Sequence, residues 1–183
     1  QTGFKKGSSM KIAIITGASS GMGREFVRQL GYFYKNLDEI WVIARRKERL
    51  EALAKESRVP LRIFAGDLQK KKVYKELRDA LEKEQPDLRM LVNSAGFGKS
   101  GSVEEILSEK FRIQTDIVDV NCQSLTRMTL LCLPFLRAGS RIVNLASASA
   151  FCPQPYFSVY AATKSYVLSF SRSLGEELRK KGI

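Results

Sequence analysis

The chain has 183 residues, 44% hydrophobic and 27% charged, a balance that excludes a disordered segment and allows one domain with a buried core. Its longest nearly continuous apolar run, TLLCLPFL at 129–136, falls far short of the roughly 20 residues of a membrane span, so no bilayer crossing is expected. The net charge of +12 raises the question of a nucleic-acid partner. Against one, the basic residues are spread along the chain, and the clusters KKK at 70–72 and RKK at 179–181 fall in helical, solvent-facing patterns.

The apolar run after the first basic residues, Ile12–Ile15, is too short for a secretory signal, and residues 1–9 read as a tag remnant before a native start at Met10. Cys122, Cys132 and Cys152 form no CxxC pair and are odd in number, which fits reduced thiols and a cytoplasmic protein. From Lys11 onward, short apolar runs alternate with stretches of helical period. The runs are KIAII, IWVIA, LRIF, RMLV and RIVNL; the helical stretches are 24–34, 47–57, 71–84, 114–136 and 158–181. Five such βα repeats predict an α/β domain over 10–183, a doubly wound, Rossmann-like parallel sheet with helices on both faces, because parallel strands need crossover connections. The chain closes on RKKGI, where a sixth strand would be expected next, so the domain reads as C-terminally incomplete, with its last strands absent from this chain.

The first strand runs into TGASSGMG. Gly17, Gly21 and Gly23 let the backbone turn sharply against a pyrophosphate, with Ser19, Ser20 and Met22 between them, and the helix that follows offers free N–H groups and a positive dipole end. Glycine-rich strand-to-helix turns also arise as plain turns, but the position after the first strand favours a dinucleotide. No Gly-Lys-Ser/Thr closes the motif, which excludes a Walker-type phosphate loop. The second strand ends in ARRKER rather than in the acidic residue that holds a ribose 2′-hydroxyl. Asp38 and Glu39 precede that strand and lie roughly 15 Å from its far end. Arg45 and Arg46 suit a 2′-phosphate, so NADP is expected over NAD; both also read as solvated helix-start residues. At the third strand end, Asp67 and Leu68 face an adenine, although Asp67 is almost as good a helix N-cap. At the fourth, NSAG places Asn93, Ala95 and Gly96 near a ribose, or in a simple turn.

The chain has no histidine, so a proton carrier near neutral pH must be something else. In YAATK, Tyr160 and Lys164 are four apart and share a helix face. Favouring a phenolate at neutral pH takes about 4 kcal/mol, which one ammonium about 4 Å away supplies at an effective dielectric near 20. Such pairs also arise by chance on helix surfaces. Upstream, NLASAS ends the fifth strand with Ser147, with Ser149 its local competitor, and Asn121 interrupts an apolar helix, either as a functional group or as a helix-bending polar residue of the core.

Taken together and in this order, TGASSGMG, NSAG, Asn121, NLAS and YAATK resemble the short-chain dehydrogenase/reductase family, from about Lys11 to the last residue. The resemblance implies Tyr160 as proton donor or acceptor and Lys164 as the residue that binds the nicotinamide ribose and eases proton loss from the tyrosine. It further implies Ser147 as the carbonyl-orienting hydroxyl and Asn121 as the holder of a relay water. Thr16, Gly17, Gly21 and Gly23 match the family's dinucleotide turn, and Asn93 matches the first Asn of its usual NNAG, from which Ser94 departs. Also implied is a homodimer or homotetramer built on the helices around Asn121 and Tyr160. Members usually continue into two further strands, a Pro-Gly turn and a mobile segment over the substrate, which this chain lacks. The expected activity is NADP-dependent hydride transfer between nicotinamide and a small-molecule carbonyl or secondary alcohol. The other reading is a nucleotide-sensing protein of the same fold with little catalysis. Phe97, Phe151, Tyr156 and Phe157 suggest an apolar, aromatic substrate pocket.

Overall fold

The computed structural model describes residues 9–109 and 112–183; most of the tag-like start, residues 1–8, lies outside the described residues. Five parallel strands form one sheet in the order β3-β2-β1-β4-β5: β1 Lys11–Thr16, β2 Glu39–Ala44, β3 Leu61–Ala65, β4 Asp87–Asn93 and β5 Leu136–Asn144. Each apolar run of the sequence lies within or overlaps one of these strands.

Alternation along the strands sends side chains to opposite faces. Ile12, Ile14, Trp41 and Ile43 enter one core with α3 (Lys71–Glu84) and α6 (Leu125–Cys132). Ala13, Ile15, Ile40 and Val42 enter a second core with α1 (Gly21–Phe33) and α2 (Lys47–Glu56). β4 breaks this parity: Leu88 and Leu91 face the first core, Met90 and Val92 the second. An irregularity in its pairing with β5 between Leu88 and Met90 absorbs the odd residue, Arg89. Central strands apolar on both faces are what a parallel sheet with covered faces requires.

The expected helix 114–136 is built in four pieces. α5 (Ile113–Val118) leads into a π-helical segment, Asp119–Ser124, then α6, then a 3-10 turn over Leu133–Phe135. Pro134, which has no N–H to donate, sits in that turn, and Leu136 already pairs with Leu88 as part of β5. A short helix, α4 (Val103–Glu109), was not foreseen. It opens on a capping box: Glu105 N–H donates to Ser102 Oγ at 3.1 Å, and Ser102 N–H donates to Glu105 Oε2 at 2.7 Å. Those bonds hold the Glu105 carboxyl below its ordinary range. The last helix, α7 (Ser158–Arg179), packs against α5 and the π-helical segment.

Candidate active site

Register places Thr16, Asn93 and Asn144 side by side at the carboxyl ends of β1, β4 and β5, so the loops that follow them share one edge of the sheet. The loop after β1 is held against the loop after β4. Thr16 Oγ1 accepts from the N–H groups of Ser94 and Ala95, both at 3.1 Å. Gly17 has φ +70°, and a Cβ there would lie 2.8 Å from Ala95 N, so only glycine allows this approach.

A cavity of about 350 Å³ opens along this edge. The sequence-predicted Gly17, Ser19, Ser20, Gly21, Met22, Arg45, Arg46, Asp67, Leu68, Ala95 and Gly96 all line it. Arg46 is locked onto the glycine loop: its guanidinium donates to Ser19 Oγ at 3.0 Å and to Ser20 Oγ at 2.8 Å. A planar cation thus sits beside the N-terminus of α1, at the place where a phosphate would be received. Four residues of the expected cofactor-binding set, Gly23, Asn93, Tyr160 and Lys164, do not line the cavity. Gly23 lies beneath the turn, where a Cβ would meet Gly17 O at 2.5 Å. Asn93 is buried and turned toward its neighbours, donating to Thr129 Oγ1 at 3.0 Å and Asn144 Oδ1 at 2.9 Å. Asp67 is not the cap of α3, which begins at Lys71; its carboxylate accepts from Gln69 N–H at 3.0 Å and shapes the turn at the cavity wall.

Several residues in this wall, Gln69 and Asp116, and behind it, Tyr74 and Ser124, carried no recognised sequence signal. The Leu68 carbonyl accepts from Tyr74 Oη at 2.7 Å and Ser124 Oγ at 3.2 Å, both buried. Gln69 Nε2 donates to Asp116 Oδ1 at 2.9 Å, joining the same loop to α5. A hydroxyl three residues after Asn121, inside an apolar helix, was the available clue to Ser124.

Gly96 and Phe97, at the cavity wall, lead into a loop that packs on three side chains outside the lining: Gly96 on Asn121 and Lys164, and Gly98 on Tyr160. Asn121 is buried within the π-helical segment, and its amide is fully engaged. Oδ1 accepts from Phe97 N–H at 3.0 Å; Nδ2 donates to Phe97 O at 2.9 Å and to Thr163 Oγ1 at 3.0 Å. One side chain therefore fastens the loop after β4 to α7. Lys164 Nζ donates to Leu145 O at 2.7 Å, which ties α7 to the loop after β5, and lies 5.5 Å from the centre of the Tyr160 ring. Burial pulls the Lys164 ammonium below the ordinary lysine range. The Tyr160 ring stacks on Phe157 at 4.3 Å, and Gly98 passes so close that a Cβ would meet Tyr160 Cδ2 at 2.6 Å. Ser147 caps the short turn Ala148–Ala150, accepting from Ser149 N–H at 3.2 Å and donating to Ser149 Oγ at 3.2 Å. Ser165 Oγ bonds Ala150 O at 3.0 Å and so fixes that turn on α7. Burial raises the Cys122 and Cys132 thiols above the ordinary thiol range, and Cys122, whose Sγ donates to Thr163 O at 3.9 Å, lies close enough to Lys164 for its charge to oppose that rise.

A family profile described as short chain dehydrogenase matches residues 11–183. The chain belongs to the short-chain dehydrogenase family. A short-chain dehydrogenase from Sphingobium yanoikuyae in complex with NADPH superposes with a TM-score of 0.80 and 30% identity, over 95% of this chain and 68% of that one. The bulky-bulky ketone specific alcohol dehydrogenase from Comamonas testosteroni also gives 0.80 and 30%, over 96% and 70%. A very-long-chain 3-oxoacyl-CoA reductase of Coprinopsis cinerea is 33% identical over 192 residues, 99% of this chain but 53% of that protein. An uncharacterized oxidoreductase of Staphylococcus epidermidis is 29% identical over 175 residues, 94% of this chain and 74% of its own length. This short-chain dehydrogenase chain thus spans between about half and three quarters of the length of these curated relatives.

Proposed function

We propose that the protein is an NADP(H)-dependent oxidoreductase that passes a hydride between nicotinamide and a carbonyl or secondary alcohol, with Tyr160 moving the proton. The observation that carries this reading is the joining of the Gly96–Gly98 loop to the helix of Tyr160 and Lys164 by the Asn121 bonds, and of Lys164 to the loop after β5, beside a cavity lined by Gly96, Phe97 and Arg46.

The fit to a dinucleotide rests on the tight Gly17–Ala95 approach and on Arg46, already oriented by two serines. Bound there, the cofactor supplies the hydride. Main-chain N–H groups of the Gly17–Gly23 turn and the start of α1 would hold its pyrophosphate, and Arg45 and Arg46 would take a 2′-phosphate. Asp67 and Leu68 would hold the adenine, and Ala95, Gly96 and Lys164 the riboses. Ser147 orients the substrate oxygen. Tyr160 Oη gives its proton to the forming alkoxide in reduction and takes it back in oxidation. The Lys164 ammonium beside the ring favours the charge left on that oxygen. Asn121 acts through its bonds to Phe97 and Thr163, which favours a positioning role for its side chain over direct hold on a relay water. Exposed Phe97, Phe151 and Tyr156, with Phe157 stacked on Tyr160, favour a bulky apolar substrate, in keeping with the ketone and acyl chemistry in the names of the relatives.

The test of cofactor choice is a fluorescence titration with NADPH and NADH. Wild type is expected to prefer NADPH, and Arg46→Ala to lose about 10- to 100-fold in NADPH affinity with NADH nearly unchanged. Equal affinity of wild type for the two cofactors would remove the NADP assignment.

A further inference from the structure

On the sheet face away from α1 and α2, a second cavity of about 770 Å³ runs between α3 and α6. One wall is the row Lys71, Lys75 and Arg78, at i, i+4 and i+7 along α3, joined from α6 by Arg127; Glu82, one turn beyond Arg78, closes the row and sets where its basic part ends. The other wall is apolar, with Leu130, Leu131, Pro134 and Phe135. Leu130 is 58% exposed, unusual for a leucine beside so much charge. None of the four cations has a carboxylate partner within salt-bridge distance among the described residues, although ion pairs form elsewhere on the surface, including Lys72–Glu76 on the same helix. Arg127 lies instead over the Tyr74 ring, 5.8 Å from its centre.

We propose that this groove docks an acidic amphipathic helix of a partner protein. The placing of the charge selects that occupant. Lys71 to Arg78 covers roughly 10 Å at 1.5 Å per residue, a row with the pitch of helix turns, which matches carboxylates at i, i+4 and i+7 on a facing helix. A single lipid headgroup would use cations gathered at one end, and a flat bilayer would not enter a concavity. A second copy of this chain bound through the same groove would set one basic row against the other, since a twofold contact brings like patches together. The apolar wall takes the hydrophobic edge of the helix, and the basic row steers it and sets its register.

The test uses the full protein and a fluorescein-labelled synthetic helix with glutamates one turn apart along one edge and leucines on the adjoining face, read by anisotropy. A scrambled peptide of the same composition serves as control. Lys75→Glu/Arg78→Glu should weaken binding by roughly tenfold or more, whereas Lys180→Glu/Lys181→Glu, equal in charge change at the end of α7, should change it little. Basal turnover with NADPH should be the same in both variants, so failure of the catalytic reading would leave this result standing. Equal binding of the scrambled peptide, or equal losses in the two variants, would overturn the proposal. So would conversion of dimers to monomers by the groove variant alone in light scattering, or loss of retention on phosphatidylserine vesicles with no peptide binding.

Discussion

Lys164 is the residue in which cost and function meet most clearly. Its ammonium is buried and satisfied by a backbone carbonyl, Leu145 O, rather than by a carboxylate. Burial therefore lowers its proton affinity, and the sign of the consequence follows. At neutral pH the folded state bears the cost of a buried charge. As pH rises toward about 10.4, where an unfolded lysine titrates, the folded state gives up its proton first, the unfolded state binds more protons, and stability rises. Urea unfolding of wild type and Lys164→Met at pH 7 and at pH 10 should thus show the difference between them moving in favour of wild type at the higher pH. A constant difference, or movement the other way, would mean that the charge is not buried as described. Individual residues of the site were legible in the sequence to an uneven degree. Arg46 could be placed from the strand end it follows, but its lock onto Ser19 and Ser20 depends on side-chain reach across two loops. Asn93 and Asn121 stood out as polar residues in apolar surroundings; which groups they bond, Thr129 and Asn144 or Phe97 and Thr163, depends on packing between distant elements.

At the scale of elements, the π-helical segment Asp119–Ser124 ties the two halves of the site together. Asn121 fastens the loop after β4 and α7, while Ser124, with Tyr74 from α3, fastens the carbonyl of Leu68 in the loop after β3. Such irregular turns often persist where function requires them. The double variant Tyr74→Phe/Ser124→Ala removes both donors to a buried carbonyl, a loss of about 1–3 kcal/mol. Because that carbonyl belongs to the cavity wall, we predict a raised KM for NADPH, about tenfold, with kcat nearly unchanged. A fall in kcat at constant KM would show that the segment acts elsewhere. Sequence periodicity located four of the five principal helical stretches closely, since each pairs one apolar stripe with one core. It overran at Leu136 and smoothed over the π-helical segment, because period alone does not register a proline stop or a one-residue bulge. The capping box at Ser102–Glu105 was available in the sequence as S-x-x-E, and it marks α4, which the periodicity missed.

For the whole molecule, five parallel strands with apolar residues on both faces made the fold legible early, and the family profile over residues 11–183 agrees with it. The crossover order β3-β2-β1-β4-β5 gathers every candidate group at one edge, although those groups span Thr16 to Lys164 in sequence. What the linear chain did not disclose was the groove between α3 and α6, because its basic row and apolar wall come from helices that are neighbours only after folding. The two sites lie close enough to share Tyr74, whose ring lies under Arg127 and whose hydroxyl holds Leu68. In a chain without histidine, the proposed acid–base group is Tyr160. The most direct test of that role is Tyr160→Phe in the full protein, with NADPH binding and carbonyl reduction measured side by side. We predict cofactor binding close to wild type and turnover lowered by at least about 10²-fold; near-normal turnover in this variant would rule out Tyr160 as the proton carrier.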